Sequence, residues 1–175
     1  MPLDIGVGIL LSLGVSALFG THATWPIIVF GTCSTLLPDI DIATALFGKW
    51  KHRTATHYPL TYIPLVLLAG LLLGPFYAAL FAAGVFAHFI HDTVGTGWGI
   101  SWLWPITSRR FLFLPYGRRA EMGVFATWLP EQKPEWTHHG PHTWVRTTYF
   151  RLSIVSIIEY AAFLIAAVAL WRYLG

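Results

Sequence analysis

"YPLTYIPLVLLAGLLLGPFYAALFAAGVFAHFI", from Tyr58 to Ile90, contains no Lys, Arg, Asp or Glu, and its first histidine is His88. Wound as one helix it would reach about 50 Å, far beyond a bilayer hydrocarbon core of about 30 Å. Gly74-Pro75 falls near its middle, where proline removes a backbone donor and a glycine-proline pair marks a turn. The stretch therefore predicts two antiparallel helices. Backbone in lipid must satisfy its own hydrogen bonds, so runs of this kind are expected to be helical.

The flanking sequence follows the same pattern. Leu3 to Gly20 is uncharged except for Asp4 and predicts a first helix; Thr24 to Leu37 predicts a shorter second one that stops at Pro38. Phe150 to Tyr173, interrupted only by Arg151 and Glu159, predicts the last. Charged residues make up 11% of the chain and hydrophobic ones 55%, whereas a soluble domain carries about 25% charge. The expectation is one integral membrane domain over residues 1–175, an all-α polytopic bundle of about five helices with a long interfacial loop. The N-terminus "MPLDIGVG" has an acid and no base, unlike a signal peptide, so the first helix is expected in the mature protein. Cys33 is the sole cysteine, excluding an internal disulfide, and is expected to be a small buried apolar residue. Between Asp92 and Tyr149, "GISWLWPITSRRFLFLPYGRR" and "LPEQKPEWTHHGPHTW" predict mostly loop and short surface helix.

Five spans alternate the sides of the connections. The N-terminus, Asp39–His57 and Asp92–Tyr149 share one face; Thr21–His22, Gly74-Pro75 and the C-terminus share the other. Ten of the eleven basic residues, among them Lys49, Lys51, Arg53 and Arg109, fall on the first face or at its helix mouth, and Arg172 on the second. The positive-inside rule makes the first face cytoplasmic. This asymmetry also accounts for the pI near 9.2, so no nucleic-acid partner is expected.

The same face collects acids and imidazoles. "LLPDIDIATALFGKWKHRTATH", Leu36 to His57, holds Asp39, Asp41, His52 and His57. His88, His91 and Asp92 are spaced i, i+3, i+4 and share one helical face. Helix C-termini favour cations, and ionisable groups at membrane depth are rare and usually functional. A bound dication would turn the mutual repulsion of three aspartates into attraction. Taken singly, the pieces also read as solvated acids at a helix stop, a hydrogen-bonded interfacial cluster, or loop histidines. Taken together they point to a divalent metal. Mixed Asp/His ligation suits zinc, with manganese or iron(II) as alternatives, and six candidate ligands leave room for one ion or two.

"LLPDID", "HRTATH" and "HFIHDTVGTGWGISWLWP" together resemble the YdjM-like family of small membrane-bound metal-dependent hydrolases, also described as LexA-binding and inner membrane-associated. The resemblance covers roughly Leu36 to Pro105. It implies an inner-membrane location and a metal site built from Asp39, Asp41, His52, His57, His88 and Asp92. Two departures stand out. Relatives carry a histidine within their first few residues where this chain has only Asp4, and His91 falls where the family is apolar. His22 belongs to the opposite face.

A hydrolase of this kind would use metal-activated water, with His91 or a carboxylate moving the proton and Arg53 pairing with a substrate phosphate or a nearby aspartate. No Gly-x-Ser-x-Gly elbow occurs. The depth of the site points to a lipid-like or amphiphilic ester. Arg109 to Arg119 reads as a segment lying in the anionic leaflet or as a stop signal with aromatic anchors, and Trp98, Trp102 and Trp104 as interfacial anchors. His138, His139 and His142 read as exposed loop histidines. A metal transporter or sensor, and a scaffold with a structural metal, are the competing functions.

Overall fold

The computed structural model describes residues 2–47, 55–94, 99–114, 123–132 and 153–175. Five α-helices occur among them: α1 (Pro2–Leu18), α2 (Trp25–Leu36), α3 (Ile63–Leu73), α4 (Pro75–Thr93) and α5 (Ile154–Leu174). The break in the long apolar run lies where the sequence puts it. Gly74 sits at φ +91°, a conformation glycine adopts without strain, and both ends α3 and caps α4, whose first residue is Pro75. At the start of α5, Ser153 and Ser156 form a reciprocal capping pair.

Close packing of small residues draws the helices together. A Cβ added to Gly8 of α1 would lie 2.6 Å from the Thr32 Cα of α2, and one added to Gly84 of α4 would lie 2.8 Å from the Ser34 Cβ of α2. Where lipid and side chains are equally apolar, such close approach and interhelical hydrogen bonds hold helices together. The Ser12 hydroxyl donates across this seam to the Ile27 carbonyl at 3.2 Å, and that of Thr35 to the Asp4 carbonyl at 2.8 Å. α1 therefore packs on α2, α4 and α5, while α3 rests against α4.

The outward faces are greasy. α3 has no buried residue, and Leu67, Leu71, Ile158, Leu164 and Ile165 are exposed on α3 and α5. α5, at 21 residues, is the one helix among the described residues long and apolar enough to cross a bilayer; α1 and the Pro59–Leu73 stretch are shorter apolar helices.

α2 ends at Leu36, just before Pro38 as expected, and the backbone then tightens into a 3₁₀ stretch over Leu37–Phe47. Two expectations need correction. Cys33 is exposed, because it occupies the outer face of α2 rather than the seam. The segment after Asp92 is not simply loop and helix: Arg110–Phe113 (β1) and Phe125–Trp128 (β2) form an antiparallel hairpin. Leu112, Ala126 and Trp128 make its buried face, and Ile100 and Val94 bridge to β1, joining the hairpin to the end of α4. Arg109 donates to the Thr127 hydroxyl at 3.0 Å, so this part of the basic segment packs on protein. Trp102 is likewise more than an anchor, since its indole N–H donates to Thr93 at 2.9 Å.

Candidate metal centre

Three separate segments deliver ionisable side chains to one end of the bundle. The 3₁₀ stretch after α2 turns about 120° per residue, so Asp39 and Asp41 diverge instead of stacking. His57 ends a short 3₁₀ turn, Ala55–His57, and is 1% exposed. His88 and Asp92 lie one turn apart on the last two turns of α4, on the same face, and both are buried.

Four donors converge. His57 Nε2 lies 3.5 Å from Asp39 Oδ1 and 3.3 Å from Asp92 Oδ2. His88 Nε2 lies 3.6 Å from the same Asp39 oxygen and 3.7 Å from the same Asp92 oxygen. Asp39, His57 and His88 offer ligand atoms all within 4.8 Å of one another. These edges are long for hydrogen bonds. They are close to what a small dication requires, because donors about 2.0–2.1 Å from one tetrahedral zinc stand about 3.4 Å apart; Asp39, His57 and His88 are the mutually close set, and Asp92 faces both imidazoles. His88 Nε2 is sealed from solvent and makes no hydrogen bond among the described residues, so it is not a satisfied core histidine at that nitrogen.

The opposite nitrogens of both rings face further carboxylates. Asp41 Oδ2 is 3.3 Å from His57 Nδ1, and Asp4 Oδ1 is 3.3 Å from His88 Nδ1. Thr56 Oγ1 also approaches His57 Nδ1, at 3.0 Å. A carboxylate on the rear nitrogen fixes the tautomer that leaves the front nitrogen free to bind metal. Burial disfavours charge on His57, but Asp39, Asp41 and Asp92 outweigh it and push its pKa up to about 10. The pocket calls for positive charge.

Of the residues singled out in the sequence, Asp39, Asp41, His57, His88 and Asp92 meet here. His91 points to a neighbouring cluster instead: its Nδ1 lies 3.1 Å from Asp4 Oδ1 and its Nε2 3.8 Å from Glu159 Oε1. His52, Arg53, Trp98, His138, His139 and His142 lie outside the described residues. His22 is at the far end of the bundle, as expected, where its Nδ1 pairs with the Tyr173 hydroxyl at 2.9 Å. Sequence reasoning passed over Asp4 and Glu159, each 3% exposed. The available signal was an acid inside an apolar helix, which at membrane depth is by itself a mark of function.

Compared with known proteins, residues 4–172 match the family model described as "YdjM inner membrane protein". No curated protein and no solved structure matches the chain.

Proposed function

We propose that this chain, which belongs to the YdjM inner membrane protein family, is a metal-dependent hydrolase that cleaves a phospho- or carboxyl ester of a lipid-like substrate. The observation that carries the reading is the convergence of Asp39, His57, His88 and Asp92 on one small volume at the end of a membrane bundle. Zinc suits two imidazoles and two carboxylates at these separations best, with manganese or iron(II) next. Such an ion supplies Lewis acidity and a water made acidic enough to serve as nucleophile near neutral pH.

The chain's own side chains have separable tasks in this reading. Asp39, His57, His88 and Asp92 hold the ion. Asp41 and Asp4 face the rear nitrogens of His57 and His88 at 3.3 Å, where each carboxylate favours the tautomer that leaves the front nitrogen for the metal. His91, whose side chain is 28% exposed, is more open than the buried ligands around it and is assigned to carry a proton between the site and Asp4 or Glu159. His52 is a further ligand on the strength of the family resemblance, and Arg53, beside it in sequence, is a partner for a substrate phosphate or for Asp39 or Asp41. The arrangement of five spans with the centre on the cytoplasmic side rests on the ten basic residues of that face.

A scaffold with a purely structural metal is the second reading. It is favoured by the number of converging side chains, because closed four-ligand zinc sites are usually structural. Transport is disfavoured by the α3–α4 hairpin, which has no Lys, Arg, Asp or Glu between Tyr58 and Ile90 and a histidine, His88, only near the end of α4.

Elemental analysis of detergent-purified protein, followed by a lipid-ester hydrolysis screen, tests the proposal. The expected result is zinc or manganese retained through dialysis, and turnover that disappears together with the metal in Asp39→Ala. Protein of ordinary stability without metal would defeat both readings. Retained metal without hydrolysis of any ester leaves the scaffold.

A further inference from the structure

Beside the metal centre, α3 and α4 leave a cleft of about 270 Å³ between them. Its floor is Tyr62, Val85 and Phe89, all buried, and its rim includes Ile63 and Phe86, which are exposed. No charged residue lines it. The wall spans Pro59 to Leu67 on one side and Ala82 to Phe89 on the other, a length of about 10–12 Å at helical rise. The inner end abuts the proposed ligands. Phe89 packs edge-on to the His57 ring with centroids 6.4 Å apart, and to Tyr62 at 5.4 Å. The Ala55–His57 turn also runs almost directly into the Pro59–Tyr62 turn and α3.

We infer that this cleft holds one acyl chain of a membrane lipid, oriented with its ester toward His57 and its tail toward Leu67 and Ala82. The inference deepens the hydrolase reading, whose metal centre it takes as its head-group end, by assigning the part of the substrate that is recognised without polar contacts. Two observations favour a lipid chain over a protein helix. Helices docked in lipid approach through small residues, as α1 and α2 do at Gly8 and Thr32, whereas this cleft is walled mainly by Leu, Ile, Val and aromatic side chains. It is also far too short for a second copy of the chain, since a stable protein interface buries on the order of 1,000 Å² or more.

The test uses full-length protein purified with zinc and reconstituted into nanodiscs of phosphatidylethanolamine and phosphatidylglycerol. The probe is phosphatidylethanolamine bearing a diazirine on one acyl chain, either next to the ester or at the tail. Photolysis and peptide mass spectrometry read the labelled residues, and zinc content is measured on the same sample. The ester-proximal probe is expected at Tyr62 and Phe89 and the tail probe at Val66, Val85 and Ala82. Both should exceed labelling of the outward-facing Ile158 and Leu164 of α5 several-fold. Val85→Trp should cut cleft labelling several-fold with zinc content unchanged. Val66→Trp, at a half-buried position on a helix with no buried residue, supplies the same test with less disturbance of the core, its folding checked by the same zinc content.

Even labelling of α3, α4 and α5, or labelling indifferent to both tryptophans, overturns the assignment even if zinc is bound, and leaves the metal reading intact. Focused labelling in protein that binds no zinc supports the cleft and removes the metal from the hydrolase reading.

Discussion

The two ends of this helix bundle are built from the same five helices, yet they have been given opposite chemistry. At one end Asp4, Asp41, His57, His88, Asp92 and Glu159 are buried, held by the start of α1, the 3₁₀ stretch after α2, the Ala55–His57 turn, the end of α4 and the first turns of α5. At the other end the connections are short turns. Gly20 at φ +63° and Gly74 at φ +91° face open space, and the Tyr173 hydroxyl accepts from the Ala23 N–H at 2.8 Å and pairs with His22 Nδ1 at 2.9 Å. One end spends its polar atoms on closing the chain back on itself, and the other aims them at a shared point. Isolated buried charges are costly and persist when paired or when they coordinate metal, so the contrast itself argues for a cation.

The strongest way to break this contrast is to remove a convergent donor. His88→Ala is expected to abolish metal retention by elemental analysis. It should also cost about 3–5 kcal/mol in chemical unfolding, because the facing carboxylates lose their partner. The next effect is a pH dependence that reverses with metal. In metal-free protein the raised pKa of His57 makes stability greatest below about 6.5 and draws it down as pH climbs toward about 10. Metal binding must displace that proton, so zinc affinity rises with pH over the same window, by about tenfold per unit for one proton released. Calorimetric titration in buffers of different ionisation enthalpy measures both.

Asp41→Asn and Asp4→Asn sharpen the distinction between the front and rear nitrogens of the imidazoles. Each should weaken zinc binding about 10–100-fold and not eliminate it, as read by competition with a chelating dye. Complete loss in Asp41→Asn would make that residue a direct ligand. The smallest effect belongs to the opposite end. Tyr173→Phe removes the hydrogen bonds to the Ala23 N–H and to His22 and should cost about 1–3 kcal/mol, with the metal content unchanged.

The helices and most of the centre are legible in the chain because each is written in contiguous signals. Gly74-Pro75 punctuates an uncharged run, and Asp39–Asp41, His57 and His88–Asp92 stand at the ends of apolar segments, where acids and imidazoles are conspicuous. Asp4 and Glu159 are hard to read for the opposite reason. Each is a single acid inside an apolar helix, and its partner, His91 in both cases, lies 87 positions from Asp4. The hairpin was missed because its strands are four residues each, and Arg109-Arg110 beside Phe111–Phe113 resembles a membrane-surface segment. Burial of Leu112 against Ala126 and Trp128 is a tertiary fact that no local pattern announces. Cys33 shows that apolar surroundings in sequence do not settle which side of a helix faces its neighbours.

The placement of α5 carries a consequence for assembly. It packs along α1 so closely that a Cβ added at Gly6 would lie 3.0 Å from the Phe163 Cα, and it brings Glu159 to within 3.8 Å of His91. α5 is made long after α1, so Asp4 and His91 await Glu159 until late in synthesis. Asp39, His57, His88 and Asp92 all precede α5 in the chain, and their convergence is independent of that late closure.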